Sequence, residues 1–224
     1  MTATNVLADI KSAVDHPLTV SEVAAAFGTN AKAINRLVDS GVIPTHWVMK
    51  RKASGKGKPV RLLSAEATPL IAFLLTSGDA ASTSLIRSVQ SKLASLSTGG
   101  AATEMLQVGF LHVDMEDMCR AALSHLSDLA KAEKAVVIDP GIRGGIPVIR
   151  GTRIGVYEVA DLLKGSSVDD VLEDFPSLTP ESIESARLYA KAHPRPGRPR
   201  RMPTPTAREG TREIKRTRIG LKAT

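Results

Sequence analysis

Residues 19–38 read Thr19-Val20-Ser21-Glu22-Val23-Ala24-Ala25-Ala26-Phe27-Gly28-Thr29-Asn30-Ala31-Lys32-Ala33-Ile34-Asn35-Arg36-Leu37-Val38. Thr19 followed three residues later by Glu22 is a capping box, in which a hydroxyl and a carboxylate each accept a backbone N–H at the start of a helix. Val20, Val23, Ala24 and Phe27 then fall on one helical face, and Gly28 ends the run as a residue free to take positive φ. Thr29 or Asn30 caps a second helix with Ala33, Ile34, Leu37 and Val38 on its apolar face. A small residue at Ala24, a turn residue at Gly28 and an apolar residue at Ile34 is the spacing a helix-turn-helix needs. Thr29, Lys32, Asn35 and Arg36 then become candidate DNA contacts, since Lys and Arg suit phosphates and Asn and Arg suit base edges.

Outward from this pair, His46–Lys50 and Pro59–Leu63 read as strands, and Ser64 is a candidate cap for a closing helix through Leu75. The strands are joined by a basic stretch, which adds Arg51, Lys52, Lys56 and Lys58 to the candidate DNA contacts as a wing, with Lys50 and Arg61 beside them. Residues 1–76 thus form an expected winged helix-turn-helix domain. Residues 77–134 are an expected α/β bridge: a loose helix or linker around Leu85, Ile86, Val89 and Leu93, a single strand over Leu106–Val113, and a helix opened by Asp114 and Asp117. Met118, Ala122, Leu126 and Leu129 form one stripe of that helix, core or the seam of a homodimer. Residues 135–193 are expected to hold a strand at Val136–Ile138, a small hairpin over Ile146–Ile154 and three helices near 156–163, 168–175 and 180–192. Ser167 caps the second helix, and Pro180 opens the third. Residues 194–224 are a Pro- and Arg-rich tail that composition assigns to disorder until bound.

Charge follows this division. The net charge of +7 is split into +4 on residues 1–76, −5 on 77–193 and +8 on 194–224, so both ends are suited to a polyanion. The Gly197-Arg198-Pro199 core of the tail fits a minor groove, but Arg195, Arg198, Arg200 and Arg201 also match the clustered carboxylates of an acidic protein site. One cysteine closes no internal disulfide, and neither a signal peptide nor a membrane span is evident, so a cytoplasmic protein is expected. Catalysis finds little footing. The five histidines show no ligand spacing and Cys119 has no CxxC partner. Gly141–Gly145 lacks phosphate-loop spacing, and Asp169, Asp170, Glu173 and Asp174 make a solvated helix face. No catalytic residue, metal or cofactor is expected.

Between 136 and 193, four stretches carry a resemblance: Val137–Pro140, Gly145–Ile154, Phe175–Thr179 and Ala186–Ala190. Together they resemble the domain of unknown function 433, the antitoxin domain of VapB-like toxin–antitoxin pairs. The resemblance implies a small trihelical, helix-turn-helix-like, non-catalytic unit and a PIN-like ribonuclease toxin as partner. Residues 1–76 resemble the MerR-type winged helix more loosely. The expectation is a mainly α protein that binds operator DNA as a dimer and holds a toxin through the tail arginines. A free-standing winged-helix regulator without a toxin is the alternative, and a nuclease in its own right is a third class.

Overall fold

A computed structural model describes residues 6–52, 59–97 and 105–195. Among these residues the chain is mainly helical with three small antiparallel sheets. Helix α1, Val6–Ala13, buries Val6, Leu7 and Ile10. A two-residue strand β1, Leu18–Thr19, leads into α2, Val20–Ala26, and the turn at Gly28 (φ 62°) leads to α3, Ala31–Asp39. A 3-10 turn at Thr45–Trp47 buries the indole where the sequence suggests the start of a strand. The strand proper, β2, is Val48–Arg51; it pairs with β3, Val60–Leu63, which also takes β1, giving the order β1-β3-β2.

Helix α4, Thr68–Ser77, follows a 3-10 turn at Ala65–Ala67. The expected Ser64 cap is absent: its Oγ is buried without a partner, and the chain instead enters the helix with Pro69 in its first turn. Helix α5, Thr83–Ser97, is regular, with Leu85, Val89, Leu93 and Leu96 buried at helical spacing. Leu106–Val113 is not one strand. Gly109 takes φ 64° and folds it into a hairpin of β4, Met105–Val108, and β5, Leu111–Asp114. Asp114 then caps the long α6, Met115–Lys134, accepting the Asp117 N–H at 3.0 Å.

The third sheet joins β6, Val136–Val137, to β7, Val148–Ile149. The expected local hairpin is reduced to one antiparallel bridge, Val148 to Gly155, with Ile149 N–H donating to the Ile154 carbonyl and Val156 N–H to the Pro147 carbonyl, each at 3.0 Å; β7 forms its ladder with β6. Helices α7, Val156–Leu162, α8, Val168–Asp174, and α9, Pro180–Ala192, complete the fold.

The interior is in two parts. One apolar cluster runs from Val6 to Leu129 and also takes in Ala192; a second holds Val136, Ile149, Val156, Val159, Val171, Ile183 and Tyr189. The Ala122–Leu126–Leu129 stripe and the Cys119 thiol are buried in the first cluster, among side chains of the same chain. That finding corrects the stripe as a dimer seam. Helix α9 bridges the two parts, lying against α2, α6 and α7.

Candidate nucleic-acid interface and a histidine–carboxylate cluster

Ala24 (4% exposed) and Ile34 (0%) lie at the crossing of α2 and α3, where a larger residue at 24 would force the helices apart. The turn is fixed by Thr29 N–H donating to the Ala24 carbonyl at 2.8 Å, and Asn30, not Thr29, caps α3 by accepting the Ala33 N–H at 2.9 Å. Lys32 and Arg36 stand exposed on α3, while Thr29 is half-buried. Asn35 is half-buried as well. Its Nδ2 donates to the Ala31 carbonyl at 2.9 Å, and its Oδ1 accepts from Arg61 at 3.1 Å. The same guanidinium pairs with Asp39 at 2.7 Å. Arg61 therefore braces the β2–β3 hairpin against α3 and is not a free wing cation. Directly across the ladder from Arg61 is Lys50, exposed together with Arg51 and Lys52. Lys56 and Lys58 lie outside the described residues.

At the other end of the chain, Arg195 stacks over the Tyr157 ring (4.9 Å to the centroid) and pairs with Asp161 at 3.1 Å. Tyr157 donates its hydroxyl to the His193 carbonyl at 2.7 Å, so the segment after α9 is held on α7. Arg198, Arg200 and Arg201 lie outside the described residues. Lys191 and Pro194 share a surface hollow with Ala24, Gly28, Asn30 and Ala31, which brings the root of the basic tail beside the start of α3.

A second constellation escaped the sequence reading. His16 from the loop after α1, Glu22 from the first turn of α2 and Glu133 from the last turn of α6 each place one ligand-capable atom within 4.8 Å of the others. Glu22 is 6% exposed; its Oε2 takes the Thr19 N–H at 2.6 Å, completing the capping box, and its Oε1 lies 3.6 Å from His193 Nδ1. His193 Nε2 lies 3.2 Å from Glu133 Oε1, and its ring packs on Tyr189 at 4.5 Å. A hydrogen bond to the Asp15 carboxylate at 3.0 Å raises His16 above its ordinary range; burial opposes this, and the charges of Glu22 and Glu133 reinforce it. Four elements distant in sequence meet here, so no spacing rule reports it. The one local hint was Glu22, a carboxylate on the face that α2 must bury.

Fold and site together define a mainly helical protein in which a two-helix head with a basic hairpin is joined, through one bridging helix, to a small three-helix unit. Residues 136–190, which include all but the last two residues of that unit, match the family described as Protein of unknown function (DUF433). Over 198 residues the chain is 35% identical to "Uncharacterized protein y4eO" of Sinorhizobium fredii (strain NBRC 101917 / NGR234), covering 84% of this chain and 86% of that one. The chain belongs to the family of that protein. No solved structure matches it. Among the described residues no helix is long and apolar enough to cross a membrane.

Proposed function

We propose that this protein is a DNA-binding antitoxin that represses its own operon and neutralises a PIN-like ribonuclease toxin in the cytoplasm. In this reading α2 and α3 are a helix-turn-helix, β2–β3 is its wing, and α7–α9 form the antitoxin-type unit. The observation that carries it is the Arg61 brace. By tying β3 to Asn35 and Asp39 it fixes the hairpin that carries the exposed Lys50, Arg51 and Lys52 to the helix that carries the exposed Lys32 and Arg36, and in this reading those cations work as one surface. Lys32 and Arg36 are the reading side chains; Asn35 acts chiefly by positioning the hairpin. The homodimer that pairs two half-sites has its seam on the β4–β5 hairpin, where Met105, Phe110 and Leu111 are 57%, 102% and 53% exposed. The toxin is held by the arginines after Arg195.

The test has two arms. Fluorescence anisotropy on the DNA upstream of the gene should show tight, salt-dependent binding that weakens in K50A/R51A/K52A with a shallower salt slope. Expression of the native operon should co-purify a small nuclease. Binding without any co-purifying nuclease supports the second reading, a free-standing regulator whose tail follows the DNA. Two observations favour that reading: Pro194 shares a hollow with the start of α3, and Arg195 is already occupied by Tyr157 and Asp161.

A further inference from the structure

We propose that His16, Glu22 and Glu133 form a binding site for a divalent transition-metal ion. The inference does not depend on the DNA-binding reading.

The donor set is mixed: one imidazole and two carboxylates, which suits zinc, manganese or ferrous iron and is poorly matched to the all-oxygen preference of calcium. The spacing agrees. Bonds of about 2.0–2.2 Å put neighbouring ligand atoms about 3.3 Å apart in a tetrahedron and up to about 4.2 Å apart across an octahedron. Three atoms within 4.8 Å of one another need only a small inward rotation of two side chains to reach that range. The third is already fixed, because the capping box holds Glu22 by Oε2 and turns Oε1 into the cluster.

The surroundings have the parts that hold such ligands in place. Asp15 Oδ1 lies 3.0 Å from His16 Nδ1. A histidine whose Nδ1–H donates to a carboxylate offers Nε2 as a basic, oriented ligand, the arrangement common around protein-bound zinc. His193 lies beside both carboxylates, 3.2 Å from Glu133 Oε1 and 3.6 Å from Glu22 Oε1. His16 is 44% exposed at its side chain and Glu133 27%, so an ion has an entry path and water completes its shell.

The experiment uses the full chain, stripped with a chelator and dialysed. Zinc titrated by calorimetry should bind with a stoichiometry of one per chain, and cobalt should give visible d–d bands as a report of nitrogen and oxygen ligation. His16→Ala and Glu133→Gln change accessible side chains and leave the helix cap intact; each should weaken zinc binding at least about tenfold. His112→Ala, on the exposed β5 strand, should change nothing. Circular dichroism checks that each variant is folded. No zinc heat in the stripped protein, or one-to-one binding that both cluster variants retain, overturns the proposal; the four groups are then an ion-pair clasp between helices.

Discussion

Between Val6 and Leu129, buried side chains from eight helices and strands meet in one continuous interior, whereas Val136 to Tyr189 close a second, smaller interior from a short run of chain. The two regions are stabilised differently. In the first, Ile10, Ile34, Leu63, Leu70, Leu93 and Leu126 are fully buried and reach one another only through the tertiary fold. In the second, local devices dominate. Ser167 and Asp170 form a capping box, Thr179 and Ser182 another, and Glu158 accepts the Gly155 N–H at 3.3 Å. Arg143 forks onto Glu158 at 2.7 and 2.6 Å, and it does so from a left-handed backbone (φ 49°) that a non-glycine residue rarely adopts. Gly155 leaves room for that fork: a Cβ there would stand 3.1 Å from the Glu158 carboxylate and 3.3 Å from the Arg143 guanidinium, so both side chains would have to give by a few tenths of an ångström. A large interior tolerates weak local signals; a small one needs strong ones.

The sharpest way to break this contrast is to open each interior in turn. Leu126→Ala should cost about 2–5 kcal/mol in urea unfolding, and Val159→Ala about half of that. Equal costs would mean the two regions unfold as one unit with one common interior. Next in size is the head's exposed face. K32A/R36A should lose about 1–3 kcal/mol of operator affinity with the urea midpoint unchanged, since both side chains point to solvent. A shifted midpoint would show that these cations stabilise the fold instead. Smaller again is the fork. Arg143→Ala should lower the urea midpoint only slightly, because the pair is exposed, and Arg143→Gly should lower it less than the alanine variant because glycine accepts the positive φ. A glycine variant as costly as alanine would show that the left-handed backbone carries no strain.

The smallest effect separates the regions by pH. In the first, the Asp15 hydrogen bond raises His16 above 6.5, so its contribution is complete below 6.5 and fades as pH rises through the folded value. In the second, Arg143 holds Glu158 below 4.5, so its contribution is present above 4.5 and fades as pH falls through the folded value. Proton NMR of His16 and carbon NMR of Glu158 should show one midpoint above and one below the ordinary range. A His16 midpoint at or below 6.5 would remove the negative cluster around it.

How much of this was readable in residues alone follows the same contrast. Helices α8 and α9 were legible because Ser167, Thr179 and Pro180 mark their starts, and α2 and α3 because the capping box and Gly28 do. The β4–β5 hairpin was misread as one strand because Gly109-Phe110 is a weak turn signal inside an apolar run. Asn35 looked free on the helix because nothing in residues 31–39 foretells Arg61 arriving from β3. The Met118–Leu129 stripe was visible, but a period alone does not say whether the covering surface belongs to the same chain. The His16–Glu22–Glu133 cluster rests wholly on contacts of that non-local kind.

Cys119, the only sulfhydryl of the chain, is fully buried in α6, and burial pushes its thiol up to about 11. A thiol so placed is inert to alkylating reagents while the surrounding helices stay closed. It is therefore a stopwatch set inside the first interior. The rate at which a maleimide or disulfide reagent labels it counts how often α6 parts from its neighbours, on the native protein and without any engineered probe. Whatever the head or the three-helix unit captures, a slower tick will register whether that capture is felt at the centre of the fold.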